Sequence, residues 1–210
     1  MRKFSLILLT VVVLWHPCSA TAQVDFATID AFLKATLKGE DRVSFEAKGD
    51  LNGDGLEDWA AVINRRQSDS SPTDQLYVLL RRSGGGYHIA EKSKQEEVSG
   101  TGCCYVEALE IRGASIYIQD NVKTDGAMEA VTHQFKFYKG KWRLVGIKIY
   151  RTDFNPTVPA SIDTEVNLLT GSVREKRQKG DNKPVSSSRR KKFATYVLKD
   201  FDFSNKFGNQ

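Results

Sequence analysis

Apolar residues change their spacing once along this chain, and the change falls at Gly39. Between Val24 and Lys38, Phe26, Ile29, Phe32, Leu33 and Leu37 recur every three or four positions, the interval that gathers side chains on one face of a helix, with Gly39 placed to end it. From Val43 onward the apolar runs are short, alternate with polar residues and are separated by glycine-rich turns, a pattern of antiparallel strands. Leu76 to Arg82 and Tyr87 to Lys92 flank Ser83-Gly84-Gly85-Gly86. Tyr105 to Ile111 and Ser115 to Asp120 flank Arg112-Gly113-Ala114. Each pair reads as a hairpin.

The clearest hairpin runs from Val131 to Tyr138, turns through Lys139-Gly140-Lys141 and returns from Trp142 to Tyr150. Its first strand sets Val131, His133, Phe135 and Phe137 on one face, which is the expected core face. In the second strand the apolar phase shifts from Trp142 and Leu144 to Val145, Ile147 and Ile149, predicting a β-bulge near Gly146. A further strand is expected over Val166 to Leu169, turning at Thr170-Gly171, and a returning strand over Phe193 to Phe203. The fold class that follows is mainly β, α+β at most: an antiparallel meander or sandwich of hairpins with one N-terminal amphipathic helix.

Composition modifies this picture at the two ends. Arg2 and Lys3 precede an apolar run from Phe4 to Trp15, and Ala20-Thr21-Ala22 offers a small-residue cleavage pattern, so residues 1–22 read as a secretory signal peptide. Gln23 is the expected mature start, with cleavage after Ala20 as the alternative. Trp15, His16 and Pro17 before Cys18 are unlike a lipobox and argue against a lipid anchor. Residues 23–210 form one β-rich domain, since about 188 residues supply one well-buried core and are short for two. No later apolar run is long enough for a membrane helix, so a periplasmic or secreted location is expected.

The formal net charge of +5 is concentrated near the C-terminus. Arg174, Lys176, Arg177, Lys179, Lys183, Arg189, Arg190, Lys191 and Lys192 face only Glu175 and Asp181 within residues 174–192, which read as a flexible, solvated loop. A basic excess confined to one segment argues against a nucleic-acid-binding face and leaves an acidic partner for that segment as an expectation. Beyond the signal peptide the cysteines are Cys103 and Cys104. As chain neighbours they cannot form a relaxed disulfide with each other. A buried strand start, a redox switch and an intermolecular bridge remain open for them.

The candidate chemistry is Asp50-Leu51-Asn52-Gly53-Asp54-Gly55-Leu56-Glu57-Asp58. Calcium takes about six to eight oxygens, and a short loop supplies them from alternate positions. Asp50, Asn52 and Asp54 offer side-chain oxygens, Leu56 a backbone carbonyl, and Asp58 a closing carboxylate, with Gly55 where the chain must turn sharply. An empty Asn-Gly and Asp-Gly turn joining two strands is the alternative. Ala61 stands where an EF-hand carries its bidentate glutamate, and the flanks read as strands.

The loop resembles the D-x-D-x-D-G-x-x-D loops of FG-GAP and VCBS repeats of integrin-type propellers, in which the aspartate matching Asp58 is a metal ligand. The resemblance covers about residues 46 to 64 and occurs once, whereas a propeller closes only from several blades. It implies a calcium loop and no propeller. The order of this loop, Phe135 to Gly146 and Asn167-Leu168-Leu169-Thr170-Gly171 is similar to small exported bacterial proteins of unknown function.

The function expected on these grounds is an exported calcium-binding β domain that acts as a binding module, an inhibitor or immunity-type protein included, with calcium mainly structural. Its partner would be an envelope or extracellular protein or polymer. The competing expectation is an envelope hydrolase using His88 or His133, although no nucleophile-elbow motif accompanies either and His133 lies on an apolar face.

Overall fold

A computed structural model describes residues 25–66, 72–97, 105–124, 126–153, 161–180 and 182–201. The predicted signal peptide, Cys103, Cys104 and Phe203 lie outside them. The chain is mainly β, in two antiparallel sheets with one short helix. The first sheet orders β1 (Asp25–Phe26), β5 (Tyr87–Lys92), β4 (Thr73–Arg81), β3 (Asp58–Arg65) and β2 (Arg42–Gly49), and β6 (Glu96–Glu97) pairs with β4. The second is a seven-stranded meander of β7 (Tyr105–Arg112), β8 (Ser115–Thr124), β9 (Ala127–Tyr138), β10 (Lys141–Asp153), β11 (Ser161–Asn167), β12 (Ser172–Gln178) and β13 (Val185–Arg190).

The predicted helix is shorter than its apolar pattern. Helix α1 spans Ile29–Thr36, because the Thr28 side chain accepts the Ala31 N–H at 3.1 Å and caps its start. Asp25 and Phe26, read as its first turn, instead pair with β5. Phe32 is fully buried on the outer face of the first sheet, edge-on to Phe26, Trp59 and Tyr77 with ring centroids 5.3, 5.6 and 5.4 Å away. Arg65 ties the helix end down, donating to the Thr36 carbonyl, Asp41 and the Tyr77 hydroxyl.

The other face of the first sheet meets the second sheet. Ala60, Val62, Leu76 and Val78 pack against Val106, Ile116, Ile118, Phe135, Trp142, Leu144 and Ile147. Along one side β2 passes β7 so closely that a Cβ on Gly49 would fall 2.6 Å from Ile111. The opposite side is closed by the C-terminal segment. The strand expected over Phe193 to Phe203 is reduced to one bridge, Arg143 with Val197, followed by the 3-10 turn Leu198–Asp200. That turn lets Leu198 and Phe201, three residues apart, both enter the core, and Phe201 packs on Phe135 and His133 at 4.8 and 5.1 Å.

The expected bulge is present, since register slips between Leu144 and Gly146 against β9. His133 and Phe135 are buried as their face requires, but Phe137 is 52% exposed, while its cross-strand partner Trp142, 5.8 Å away ring to ring, is the one buried in the core. The flexible loop expected over 174–192 is corrected more strongly, because β12 and β13 occupy most of it as a hairpin. Pairing accounts for this: Arg174 lies opposite Glu165, Lys176 opposite Asp163, and the serines of β13 lie opposite Arg174, Glu175 and Lys176. Cross-strand pairs of opposite charge contribute about 0.2–1 kcal/mol each, and no like charges meet directly at these positions.

One end of the inter-sheet layer is polar. Asn64 of β3 donates to Asp74 of β4 at 2.8 Å, and on the facing sheet His133 Nδ1 lies 3.3 Å from Asp120 Oδ2. Burial raises the Asp74 carboxyl above its ordinary value of 3.8, the Asn64 hydrogen bond opposes this, Asp120 adds to it and Arg42 opposes it. A carboxyl raised in the fold contributes stability below its unfolded value and loses it as pH rises through the folded value. Asp74→Asn cannot titrate, so the variant is expected to gain stability relative to the parent as pH rises from about 3.8 to neutrality. Urea unfolding at a series of pH values checks this, and a difference independent of pH contradicts it.

Candidate functional site

Residues 50–58 join β2 to β3, as the sequence predicts, and the loop is folded around its own carboxylates. Asp50 Oδ1 accepts the Gly53 N–H at 2.6 Å and Oδ2 accepts the Gly55 N–H at 2.9 Å. Both glycines have positive φ, 81° and 78°, which residues with a Cβ adopt only under strain. Asn52 accepts the Asp54 N–H and donates its side-chain amide to Asp54 Oδ2, while Asp54 Oδ1 accepts the Leu56 N–H. The Gly55 N–H holds the Asp50 carboxyl below its ordinary range; partial burial opposes this and the Gly53 N–H reinforces it.

Asp58 differs from the other candidate ligands in being fully buried. Its Oδ2 accepts the Leu51 N–H at 2.7 Å and its Oδ1 accepts the Arg81 N–H at 2.8 Å. One carboxylate therefore staples the start of the loop to the end of β4. Burial pushes its pKa up, the Arg81 and Leu51 amides pull it down, and Asp54 and Asp50 push it up again. Among the described residues, no three or more acidic, histidine or cysteine side chains are grouped to hold a metal ion. Asp50, Asn52 and Asp54 share one loop, with the Leu56 carbonyl beside them, and Asp58 underlies it.

A second constellation lies on the outer face of the seven-stranded sheet. Pairing carries one row of residues straight across it, Tyr117 to Gln134 to Gly146 to Asn167 to Ser172 to Arg190, and the next row runs Thr132, Lys148, Glu165, Arg174, Ser188. Gly146 has no side chain where the first row crosses β10, and a groove of about 620 Å³ runs over it. That volume lies in the roughly 300–1,000 Å³ range of ligand clefts. Four cations line it, Arg112, Lys148, Arg174 and Arg190, against the single lining carboxylate of Glu165; Lys148 also pairs with Asp163 at 3.4 Å and Arg112 lies 3.9 Å from Glu110, so the positive excess rests mainly on Arg174 and Arg190. At one end the Arg112 guanidinium sits 4.1 Å from the centroid of the Tyr117 ring.

No protein-family model, curated protein or solved structure matches this chain.

The two histidines are apart from the groove. His133 is enclosed in the core beside Asp120 and Phe201. His88, on β5, has Arg82 Nε 3.5 Å from its Nδ1, and its pKa is lowered first by burial and then by Arg82. Neither lines any of the three grooves on the second sheet described by Arg112 to Arg190, by Asp163 to Ser188 and by Leu168 to Thr195.

Sequence reasoning placed Arg174 and Arg190 in a basic segment with an expected acidic partner but missed Arg112, Lys148 and the groove that joins them. Their signal was the polar half of each alternating strand, but strand register and the vacancy at Gly146 were needed to bring Arg112, Lys148, Arg174 and Arg190 onto one face.

The staple has a measurable value. Asp58→Ala leaves the Leu51 and Arg81 amides without their acceptor in a buried place, and unfolding free energy is expected to fall by about 2–4 kcal/mol. Denaturant unfolding measures it, and a loss below about 0.5 kcal/mol, the range of an ordinary surface substitution, contradicts the role.

Proposed function

We propose that this protein is an exported, calcium-binding β domain that works by binding an acidic envelope or extracellular molecule, with the ion serving mainly to hold the fold. The observation that carries the reading is the groove on the outer face of the second sheet, where four cations and one carboxylate form the lining and the positive excess rests mainly on Arg174 and Arg190. Such a face attracts anions by its summed field and by charge-assisted hydrogen bonds from three guanidinium groups. An inhibitor or immunity-type protein, which blocks an acidic surface, belongs within this reading. Among the described residues no helix is long and apolar enough to cross a membrane.

Calcium enters the proposal through the Asp50–Asp58 loop. Asp50, Asn52 and Asp54, the Leu56 carbonyl and Asp58 are the oxygen donors it would use. Asp50 and Asp54 both raise the pKa of buried Asp58, so a divalent cation would relieve a repulsion already built into the fold. The loop joins β2 to β3, and Asp58 joins it to β4, so an ion there stabilises the first sheet without touching the groove.

Calorimetric titration of the protein with calcium tests the metal half. One saturable site is expected, with a rise in melting temperature, and both are lost in Asp54→Ala. An isotherm unchanged by that substitution overturns the assignment. For the binding half, retention of the protein on an acidic polymer matrix is expected to fall with salt and with Arg174→Ala, and equal retention by the variant overturns it.

A further inference from the structure

The groove over Gly146 carries more than charge. Its floor is the face of a sheet whose backbone N–H and C=O groups are already paired between neighbouring strands from β8 to β13. An extended peptide is commonly bound by adding its main chain to an unpaired strand edge, and from β8 to β12 every strand under this floor is paired on both sides, the edge lying only at its β13 end. The floor offers side-chain amides and hydroxyls instead, from Gln134, Asn167, Thr132 and Ser172, interleaved with the cations and ending on the Tyr117 ring. Amides and hydroxyls donate and accept at once, which matches a ligand made of hydroxyl groups, while guanidinium groups match carboxylates. The row from Tyr117 to Arg190 crosses five strand spacings, roughly 24 Å at 4.8 Å each, so the ligand is elongated.

Resting on the acidic-partner reading above, we infer that the groove binds an extended acidic polysaccharide, a uronic-acid-containing glycan whose carboxylates meet Arg174 and Arg190 at one end and Arg112 at the other. The sugar hydroxyls engage Gln134, Thr132 and Ser172, and a ring lies over the notch at Gly146. Arg189 provides an internal control. It neighbours Arg190 in β13 but points to the opposite face of the sheet, opposite Val173. Gly146 provides a second handle, because the Gln134 side chain lies over it: a Cβ there would fall 2.8 Å from Gln134 Oε1 and push that flexible amide aside into the groove. A valine at 146 fills the notch and suits a strand.

The experiment is calorimetric titration of the full chain with an oligogalacturonate, with a neutral galacto-oligosaccharide of the same length and with polyglutamate of matched charge, at fixed ionic strength. Saturable binding of the oligogalacturonate is expected, at least about tenfold tighter than polyglutamate and absent for the neutral sugar. Arg174→Ala and Arg190→Ala should each weaken it about tenfold, Arg189→Ala by less than about twofold, and Gly146→Val should abolish it with the thermal transition retained. Polyglutamate binding as tightly as the uronate overturns the glycan assignment while leaving an acidic partner. Binding of neither polyanion removes both readings. Equal effects of Arg189→Ala and Arg190→Ala overturn the groove in favour of diffuse charge, a result that stands whether or not Gly146→Val folds.

Discussion

The constraint on which this structure turns is that its two sheets are unequal. The first sheet has four strands of six to nine residues, β2 to β5, and one of its faces is already covered by helix α1. The second has seven strands, and the first sheet supplies apolar surface for only about four of them. The shared core accordingly draws its fully buried strand residues from β7 to β10 on that side, while β11 reaches it only through Val166. Beyond that point β12 and β13 continue the sheet with little apolar surface, Val173 being the buried exception. Their cohesion comes from ladder hydrogen bonds, from opposed charges such as Arg174 with Glu165, and from the C-terminal segment, whose Lys191 N–H donates to Gly171 O. Hydrophobic burial dominates folding energetics, so the outer strands are the part of this molecule least fixed by it.

That inequality also creates the grooved face of the second sheet. A sheet wider than its covering layer exposes a broad outer face, and alternation fills that face with the polar half of each strand. The bulge at Gly146 then interrupts it at the centre. Val145 is the extra residue that slips the register, and Gly146 beside it leaves the row from Tyr117 to Arg190 without a side chain on β10. The Asp50–Asp58 loop is remote in role from this face. Through Asp58 it fixes β2, β3 and β4 to one another, and those strands form the platform on which the second sheet rests.

Much of the architecture was legible in the sequence where local pattern and burial agree. The hairpins at Ser83 to Gly86, Arg112 to Ala114 and Lys139 to Lys141, the bulge near Gly146 and the buried face of His133 and Phe135 all follow from period-two alternation beside glycine turns. Legibility failed where a distant partner decides the outcome. Residues 174–192 look like a solvated loop by composition, and the pairing of β12 with β11 and of β13 with β12 makes most of them strands. Phe193 to Phe203 alternates like a strand, yet the gap from Leu198 to Phe201 demands a turn. In the candidate loop, the positions of Asp50, Asn52, Asp54 and Leu56 were plain, whereas the burial of Asp58 and its bond to Arg81 depend on β4, which is remote in sequence.

Amide hydrogen exchange tests the central claim most directly, by comparing the amides of Ala60 to Val62 in β3 with those of Arg174 to Lys176 in β12 and Ser186 to Ser188 in β13. If the outer strands lack a covering layer, their hydrogen-bonded amides exchange through local openings at a free energy well below that of β3, which requires global unfolding. Equal protection in β3, β12 and β13 would contradict the account, because it would mean that the whole second sheet opens as one unit with the core.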